Sequence, residues 1–402
     1  MSPKRILFVE VSGRAGGSNV SLRALLAGLD RKRYSPVVVL GDRGNRVQWD
    51  EEVYEMNLAG LDNFDFFPAS WTIRWTHQFV RFILHFPVDL FLAARILGRL
   101  KPSIVHVNVG QAVTFGIAAR LMGLPVVWHV RELVVQNALG RLQDNLYAWC
   151  SRRVIATSHA VASRLKACAP KIVVIPNSVL PPSVEQGDLD RFRSRHALHD
   201  EDFVLLLLAN SLLVSKGFLF LAEVADRLTA CTRIRFLLAG HNVDAAAPAM
   251  HRIFRKAYRR AHGGKGEKER IMERWKGHVA AGRAAFTGYV DPALAIASCS
   301  VVVCPNLIAE PFGRSVIEAN VQSKPVIASN IPAFDEVISD GESGWLVPPL
   351  VESWVSIISA LQANAALVRR AGREANLRSA QFTAEHHSRV LMELYDDVTG
   401  CA

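Results

Sequence analysis

The sequence predicts an α/β protein built from two doubly wound domains. Its 402 residues exceed the size that one hydrophobic core usually organises, so two domains are expected. Short apolar runs of the strand type alternate with helical periodicity up to residue 175, and the same alternation starts again at residue 203. A stretch rich in proline and polar residues, 176–190, separates the two series and indicates a linker.

In the first series, leucines at helical spacing predict a helix over 19–29, so a βαβ unit opens the chain. After the second series, helical patterns fill 351–395 without another strand. We therefore place the N-terminal domain at 1–178, the C-terminal domain at 179–385, and at 386–402 a last helix that crosses back to the N-terminal domain. The predicted strands are 6–11, 37–40, 104–109, 126–129, 154–156 and 172–175, then 203–208, 235–239, 285–287, 301–304, 325–328 and 345–347.

The composition excludes several classes of protein. The six cysteines are scattered, with no CxxC pair and no His/Cys cluster at zinc spacing, so neither a zinc module nor a disulfide scaffold is predicted. A reducing, cytoplasmic location fits this cysteine usage. Glu10 interrupts the first apolar run, and no run of eighteen apolar residues occurs. We expect a first strand in place of a signal peptide, and no membrane span.

The segment 304–349 contains the most informative motif. A strand ends at Cys304, a loop carries Glu310, and Gly313 allows close approach of a ligand just before a helix that starts near Arg314. Amide groups at that helix start favour an anion. Glu310 and Glu318 can accept pairs of hydrogen bonds from sugar hydroxyls. The alternative is that both acids serve only the fold, as a loop acid and a helix acid favoured by the helix dipole.

This segment resembles the donor-site signature of family-four retaining glycosyltransferases. Glu310, Pro311, Phe312 and Gly313, followed by Glu318, match the family pattern. The resemblance implies the GT-B fold, in which two Rossmann-like domains face a central cleft. Further matches to the family's downstream consensus are Pro325, Pro332, Glu336, Gly341, Gly344 and Pro348.

The resemblance also implies roles for individual residues. Glu310 would face the hexose hydroxyls and Glu318 the nucleotide ribose. A second landmark of the family is an Arg and a Lys five positions apart, and here Lys216 occupies the Lys position while Ser211 replaces the Arg. Because a guanidinium is a strong phosphate partner, its loss requires another cation such as Arg314. The residues implied at the diphosphate are Lys216, Gly313, Arg314 and Ser315.

In the N-terminal half, Gly16 and Gly17 precede the first helix, where the family has a glycine-rich loop against the donor phosphates. A dinucleotide site is the weaker alternative, because these glycines lack the GxGxxG spacing, although Asp42 could mimic a ribose-binding acid. Asn177 resembles the family's interdomain Pro-Asn-Gly turn, with Ser178 in place of the glycine.

The predicted strand 126–129 ends in three polar residues at the edge where doubly wound folds bind ligands. His129 resembles the family's histidine beside the donor sugar. Arg131 could meet phosphate and Glu132 an acceptor hydroxyl. The alternative is a capped strand-end histidine followed by a solvated Arg–Glu pair.

The function implied is retaining transfer of a hexose or N-acetylhexosamine from a UDP- or GDP-sugar to an acceptor hydroxyl, in cell-surface polysaccharide or glycolipid synthesis. We expect no metal or other cofactor, because the DxD motif at Asp188–Asp190 lies in the predicted linker. Two alternatives stay open: a GT-B nucleotide-sugar epimerase, and a non-catalytic sugar-nucleotide-binding relative, as Ser211 suggests.

The distribution of charge adds an expected partner, an anionic membrane surface, while no nucleic acid is expected. The formal net charge is +10, and 251–283 alone holds eleven Lys/Arg against three acids. A second candidate contact, 71–101, combines aromatic and basic residues. A solvated basic helix is the alternative. We expect peripheral attachment to the inner face of the membrane, near a glycan or lipid-linked acceptor.

Overall fold

A computed structural model describes residues 3–11, 17–40, 60–63, 76–180, 182–241 and 266–400. The chain divides into two compact units. The N-terminal unit comprises Met1–Leu180 together with Phe382–Ala402, and the C-terminal unit comprises Pro181–Gln381. Gly16, Asp42, 71–75 and the part 251–265 of the basic stretch 251–283 lie outside the described residues.

A parallel sheet of seven strands forms the centre of the N-terminal unit, in the order β3-β2-β1-β4-β5-β6-β7. The order reverses between β1 and β4, which pair directly, and this switch point is where doubly wound sheets bind ligands. The strands are β1 Lys4–Glu10, β2 Tyr34–Leu40, β3 Gly60–Asn63, β4 Ile104–Val107, β5 Val126–Val130, β6 Arg153–Ala156 and β7 Ile172–Val174.

Helices cover both faces of this sheet, because β1, β4 and β5 are apolar on both sides. Leu25 and Leu391 pack with Phe8 on one face, and Phe115 packs with Trp128 on the other. The helices of this unit are α1 Gly17–Ala27, α2 Thr76–Leu100, α3 Val113–Leu121, α4 Ala138–Cys150, α5 His159–Ala162 and, from the end of the chain, α13 Ala384–Thr399.

The C-terminal unit repeats this plan with a parallel sheet of six strands, in the order β10-β9-β8-β11-β12-β13. Its switch point lies between β8 and β11, which pair at Val301–Leu205 and Val302–Leu206. The strands are β8 Phe203–Ser211, β9 Ile234–His241, β10 Ala284–Gly288, β11 Val301–Cys304, β12 Val326–Ser329 and β13 Gly344–Val347. The helices are α6 Gln186–Arg195, α7 Phe218–Arg227, α8 Glu267–Ala280, α9 Pro292–Ala297, α10 Arg314–Val321, α11 Val351–Gln362 and α12 Ala365–Ser379.

All twelve predicted strands are present, with ends that shift by at most three residues, whereas β3 was not predicted because its sequence has only one large apolar residue. The linker prediction is partly wrong, since α6 begins at Gln186 inside it. Asp188 forms an ion pair with Arg191 on this exposed helix, and Asp190 accepts a hydrogen bond from Gln186. Residues 188–190 therefore belong to a polar helix surface. In the described part of the chain, no single helix is long and apolar enough to cross a bilayer.

Candidate active site

In the C-terminal unit, the loops that follow β8 and β11 carry most of the predicted donor-site residues. These two strands are neighbours at the switch point, so their loops leave the sheet side by side at its carboxyl edge. Ser211 is the last residue of β8, after a shift in register that begins at Leu208. Its side chain is half-buried and supplies no charge to this edge.

A single turn of 3₁₀ helix, Val214–Lys216, positions the predicted lysine. Gly217 follows with φ at 81°, and a Cβ built there would lie 1.9 Å from the Pro305 carbonyl oxygen. Only glycine fits this backbone and this contact. The Leu307 amide also donates to the Ser215 carbonyl at 3.0 Å. The two loops are therefore fixed against each other.

As a result, Lys216 and Glu310 form an ion pair through Nζ and Oε1. The Asn306 side-chain amide donates to the same Glu310 oxygen. The Lys216 and Glu310 side chains keep 30% and 19% exposure, so both stay accessible to a ligand. The arrangement places a cation suited to phosphate next to a carboxylate suited to sugar hydroxyls.

Helix α10 begins immediately after Gly313, where a Cβ would lie 3.0 Å from Phe334 Cδ1. A side chain at this position would crowd Phe334, so the packing here favours glycine. The amides at a helix start favour an anion. Ser315 Oγ lies 3.5 Å from Cys304 Sγ. Burial raises the pKa of the Cys304 thiol to about 11, so this group is neutral at physiological pH.

Glu318 lies one helical turn after Arg314, and Arg314 Nε donates to Glu318 Oε1 at 2.8 Å. Burial raises the pKa of Glu318, whereas the charge of Arg314 acts in the opposite direction. Arg314 is thus paired with a carboxylate, just as Lys216 is paired with Glu310. The role of Arg314 as the substitute for the arginine absent at Ser211 stays a prediction.

At the carboxyl edge of the N-terminal sheet, Arg131 is the centre of a buried polar network. Its Nη2 donates to Asn108 Oδ1 at 2.9 Å, and its Nη1 donates to Asn177 Oδ1. Asn108 Nδ2 donates in turn to Glu10 Oε2 at 2.5 Å. Glu10 is only 2% exposed, so Asn108 links a buried carboxylate to the Arg131 guanidinium.

The alternative of a solvated Arg131–Glu132 pair is wrong, because the Glu132 carboxylate is held by other side chains. Its Oε1 accepts from Tyr147 Oη at 3.1 Å and from Gln143 Nε2 at 3.2 Å. A Cβ at Gly110 would lie 1.7 Å from this oxygen. Burial raises the pKa of Glu132, against the hydrogen bond from Tyr147, which lowers it.

His129 is fully buried next to Arg131 and packs with two other histidines, His106 and His387. Its Nδ1 lies 3.1 Å from Arg131 Nη2, which can only donate, so the imidazole proton is on Nε2. His106 and His387 pack 5.5 Å and 6.4 Å from its ring. Burial, aided by the Arg131 charge, lowers the pKa of His129 well below its usual value and keeps the ring neutral.

Sequence reasoning missed Glu10, Asn108, His106 and His387 as members of this network. A detectable signal was present only for the first two, each a polar residue at the end of a buried strand. Gly17, the described member of the predicted glycine pair, begins α1 with open space around it.

Two family models match the chain and together cover most of it. The model for glycosyltransferase family 4 matches residues 15–180, and the model for glycosyl transferases group 1 matches residues 203–364. The chain belongs to the family-four, group 1 glycosyltransferases. This membership confirms the resemblance based on Glu310 and Glu318.

Similar proteins support the same assignment. The chain is 40% identical over 88 residues to a phosphatidyl-myo-inositol mannosyltransferase of Mycobacterium leprae, covering 21% of this chain and 23% of that protein. It is 31% identical over 145 residues to the protein of that name from Mycolicibacterium smegmatis, covering 34% and 36%. The match thus spans about a third or less of these relatives.

Among solved structures, Anabaena HepE in complex with UDP and glucose has a TM-score of 0.77 and 18% identity, over 98% of this chain and 100% of that one. This similarity and the two doubly wound parallel sheets confirm the predicted GT-B fold.

Proposed function

We propose that this protein is a retaining glycosyltransferase that moves a hexose or N-acetylhexosamine from a UDP- or GDP-sugar to an acceptor hydroxyl. The observation that carries the proposal is the pairing of Lys216 with Glu310 beside the start of α10. A cation, a carboxylate and helix amides at one switch point match the diphosphate and hydroxyl groups of such a donor.

The donor diphosphate binds with its charge on Lys216 and Arg314 and on the backbone at Gly313 and Ser315. Binding draws Lys216 Nζ from Glu310 toward phosphate oxygens and leaves Glu310 to accept from hexose hydroxyls. Glu318 accepts from the ribose. These groups stabilise the negative charge that develops on the leaving diphosphate, and no metal ion is required for this.

The acceptor hydroxyl attacks the anomeric carbon from the face that the diphosphate leaves. The carbon–oxygen bond to the diphosphate breaks, a bond to the acceptor oxygen forms, and the hydroxyl proton passes to a diphosphate oxygen. No side chain acts as a covalent nucleophile in this proposal. Arg131 and Glu132 are acceptor-side residues. Because the His129 ring is fully buried, it does not contact a substrate and instead positions Arg131 through their hydrogen bond.

The similar proteins support a proposal for the chemical class of the donor and of the acceptor. One protein of similar fold is in complex with UDP and glucose, and two relatives are named for mannosyl transfer to a phosphatidyl-inositol. A nucleotide hexose as donor and a glycan or lipid-linked hydroxyl as acceptor fit both, in polysaccharide or glycolipid synthesis.

The test is incubation of the purified chain with UDP- and GDP-hexoses, with and without a phosphatidyl-inositol acceptor. Proton NMR is used to follow donor and product. The proposal predicts a product that forms only with acceptor and keeps the anomeric configuration of the donor. An inverted product would contradict retention. Conversion of the donor without acceptor would indicate an epimerase, and binding without conversion would indicate a non-catalytic relative.

A further inference from the structure

A cavity of about 680 Å³ opens at the amino edge of the N-terminal sheet. Four of its lining residues each come directly before one of the strands β4 to β7: Ser103, Pro125, Arg152 and Lys171. Because the sheet is parallel, these positions meet at one edge, opposite to the edge that carries Arg131 and Glu132. We call this space the amino-edge cavity. Its volume is within the usual range of small-molecule sites.

The lining of the amino-edge cavity is positively charged. It contains four cations and no acid among the described residues: Lys4, Arg120, Arg152 and Lys171. Arg120 and Arg152 are exposed, and neither side chain has a hydrogen-bond or ion-pair partner within the described part of the chain. Cations without a counter-charge on a concave surface attract an anion.

The two lysines have partners within the fold, which hold their ammonium groups at the cavity wall. Lys171 Nζ donates to the Ser151 carbonyl at 2.9 Å, just after the end of α4. Lys4 Nζ donates to Thr399 Oγ1 at 2.7 Å and lies 3.9 Å from the Asp396 carboxylate. Lys171 thus keeps its full charge, since a carbonyl is neutral, whereas Asp396 compensates part of the Lys4 charge.

Two neighbouring lining residues show where these charges act. Burial raises the pKa of the Cys150 thiol to about 12, whereas the charges of Arg120 and Lys171 act to lower it. Cations from α3 and from the start of β7 therefore act at one place. Ser151 is 3% exposed, and its Oγ has no hydrogen-bond partner among the described residues. A buried hydroxyl without a partner is costly, and a phosphate oxygen can supply the missing acceptor.

An aromatic side chain provides a second kind of contact in the same cavity. Trp149 lies in the last turn of α4, lines the cavity and is 48% exposed. An exposed indole offers a flat surface on which a base can stack, and such stacking tolerates any base. Basic residues for phosphates and an aromatic ring for a base are the contacts that a nucleotide requires.

We propose that the amino-edge cavity is a second nucleotide site, in which Arg120 and Arg152 bind the phosphates and Trp149 stacks on the base. This site lies in the N-terminal unit, whereas Lys216 and Glu310 belong to the C-terminal unit. Strand β5 has five residues, so roughly 16 Å separates the cavity from the carboxyl edge of the sheet. A nucleotide bound in the cavity is therefore not the sugar donor, and its binding does not depend on the proposed function.

The test is calorimetric titration of the full chain carrying Lys216→Ala with ADP, GDP, UDP and inorganic pyrophosphate. This background weakens the donor site, so the binding that remains reports on the amino-edge cavity. We expect at least one of the nucleotides to bind, more tightly than pyrophosphate. Adding Arg120→Gln with Arg152→Gln should weaken that binding by about tenfold or more, because charged hydrogen bonds to phosphate are lost. The matched control is Arg369→Gln with Arg370→Gln, two exposed arginines of the C-terminal unit with the same change in net charge.

The stacking contact is tested separately with Trp149→Ala in the same background. We expect about tenfold weaker nucleotide binding and unchanged pyrophosphate binding, because only the base loses its partner. The control is Leu142→Ala, a side chain of α4 that is 58% exposed and does not line the cavity. Melting temperatures should be unchanged in all of these variants, since the substituted side chains are exposed.

Three results would overturn the proposal. The first is the absence of nucleotide binding in the Lys216→Ala background. The second is an equal loss of binding in the test and control variants. The third is pyrophosphate binding as tight as that of the nucleotides with no effect of Trp149→Ala, which would indicate a simple phosphate site.

Discussion

Lys216 and Glu310 lie 94 positions apart in the chain and form an ion pair at the carboxyl edge of the C-terminal sheet. Glu310 has a second hydrogen-bond partner, since the Asn306 side-chain amide also donates to it. When Lys216 moves to a phosphate, the carboxylate therefore keeps one hydrogen bond. This relationship explains how one cluster can hold its shape without a ligand and still exchange partners when a ligand binds.

Glu310→Gln separates the two halves of this exchange. An amide keeps the size of the side chain but releases Lys216 from its ion pair, so UDP or GDP affinity should be unchanged or slightly higher. Turnover should fall by about a hundredfold, because the hydroxyl contacts that strengthen in the transition state are weakened. Steady-state kinetics and calorimetry measure the two effects. Equal losses in turnover and nucleotide affinity would show that Glu310 is structural.

Glu318→Gln tests the ribose contact. The substitution also releases Arg314, whose Nε donates to this carboxylate. We expect nucleotide affinity to fall by about tenfold, the value of a charged hydrogen bond. Glu352→Gln, a first-turn helix acid that is 72% exposed, is the matched control and should have no effect on calorimetric affinity. Unchanged affinity in Glu318→Gln would contradict its placement at the nucleotide.

Gly217→Ala tests how the two loops position Lys216. The new Cβ meets the Pro305 carbonyl and the residue keeps a positive φ, so we expect unfolding to become easier by about 2–4 kcal/mol. Nucleotide affinity should fall with it. Gly282→Ala provides the control, since its φ is +68° but nothing lies within 4 Å of the added Cβ. Chemical denaturation should show a loss of about 1 kcal/mol there and no change in affinity. Equal losses of stability in the two variants would show that the Pro305 contact is unimportant.

The buried histidines predict loss of stability in acid. Burial lowers the pKa of His387 from its usual 6.5 to about 4, so the folded state resists protonation while the unfolded state accepts it. The free energy of unfolding therefore has its full value above pH 6.5. It falls by about 3 kcal/mol, for this residue alone, as the pH falls toward 4.

Urea unfolding across this pH range measures the effect. His387→Gln, which can still donate to the Pro176 carbonyl, should flatten the acid slope. His199→Gln, at an exposed histidine, should leave the slope unchanged. A slope that is the same in wild type and His387→Gln would disprove the assignment.

The sheet architecture was predictable because apolar strands and helical repeats have regular periods, as in β8 and α1. The proximity of Lys216 and Glu310 follows from the same plan, since their loops leave adjacent strands. The network of Glu10, Asn108 and Arg131 was not predictable as a network, because single polar residues distant in sequence carry no period. His387 reaches this region from α13, which packs beside β4, and no local pattern encodes that contact.

Calorimetric titration of Lys216→Ala with UDP and GDP tests most directly whether Lys216 binds the donor diphosphate. Lys276→Ala removes an equally charged but exposed side chain of the same unit and is the control. We predict that the nucleotide bound by the wild type binds Lys216→Ala at least tenfold more weakly, because a charged hydrogen bond to phosphate is lost. The control should bind it like the wild type. Wild-type affinity in Lys216→Ala would contradict the account and place the donor site elsewhere.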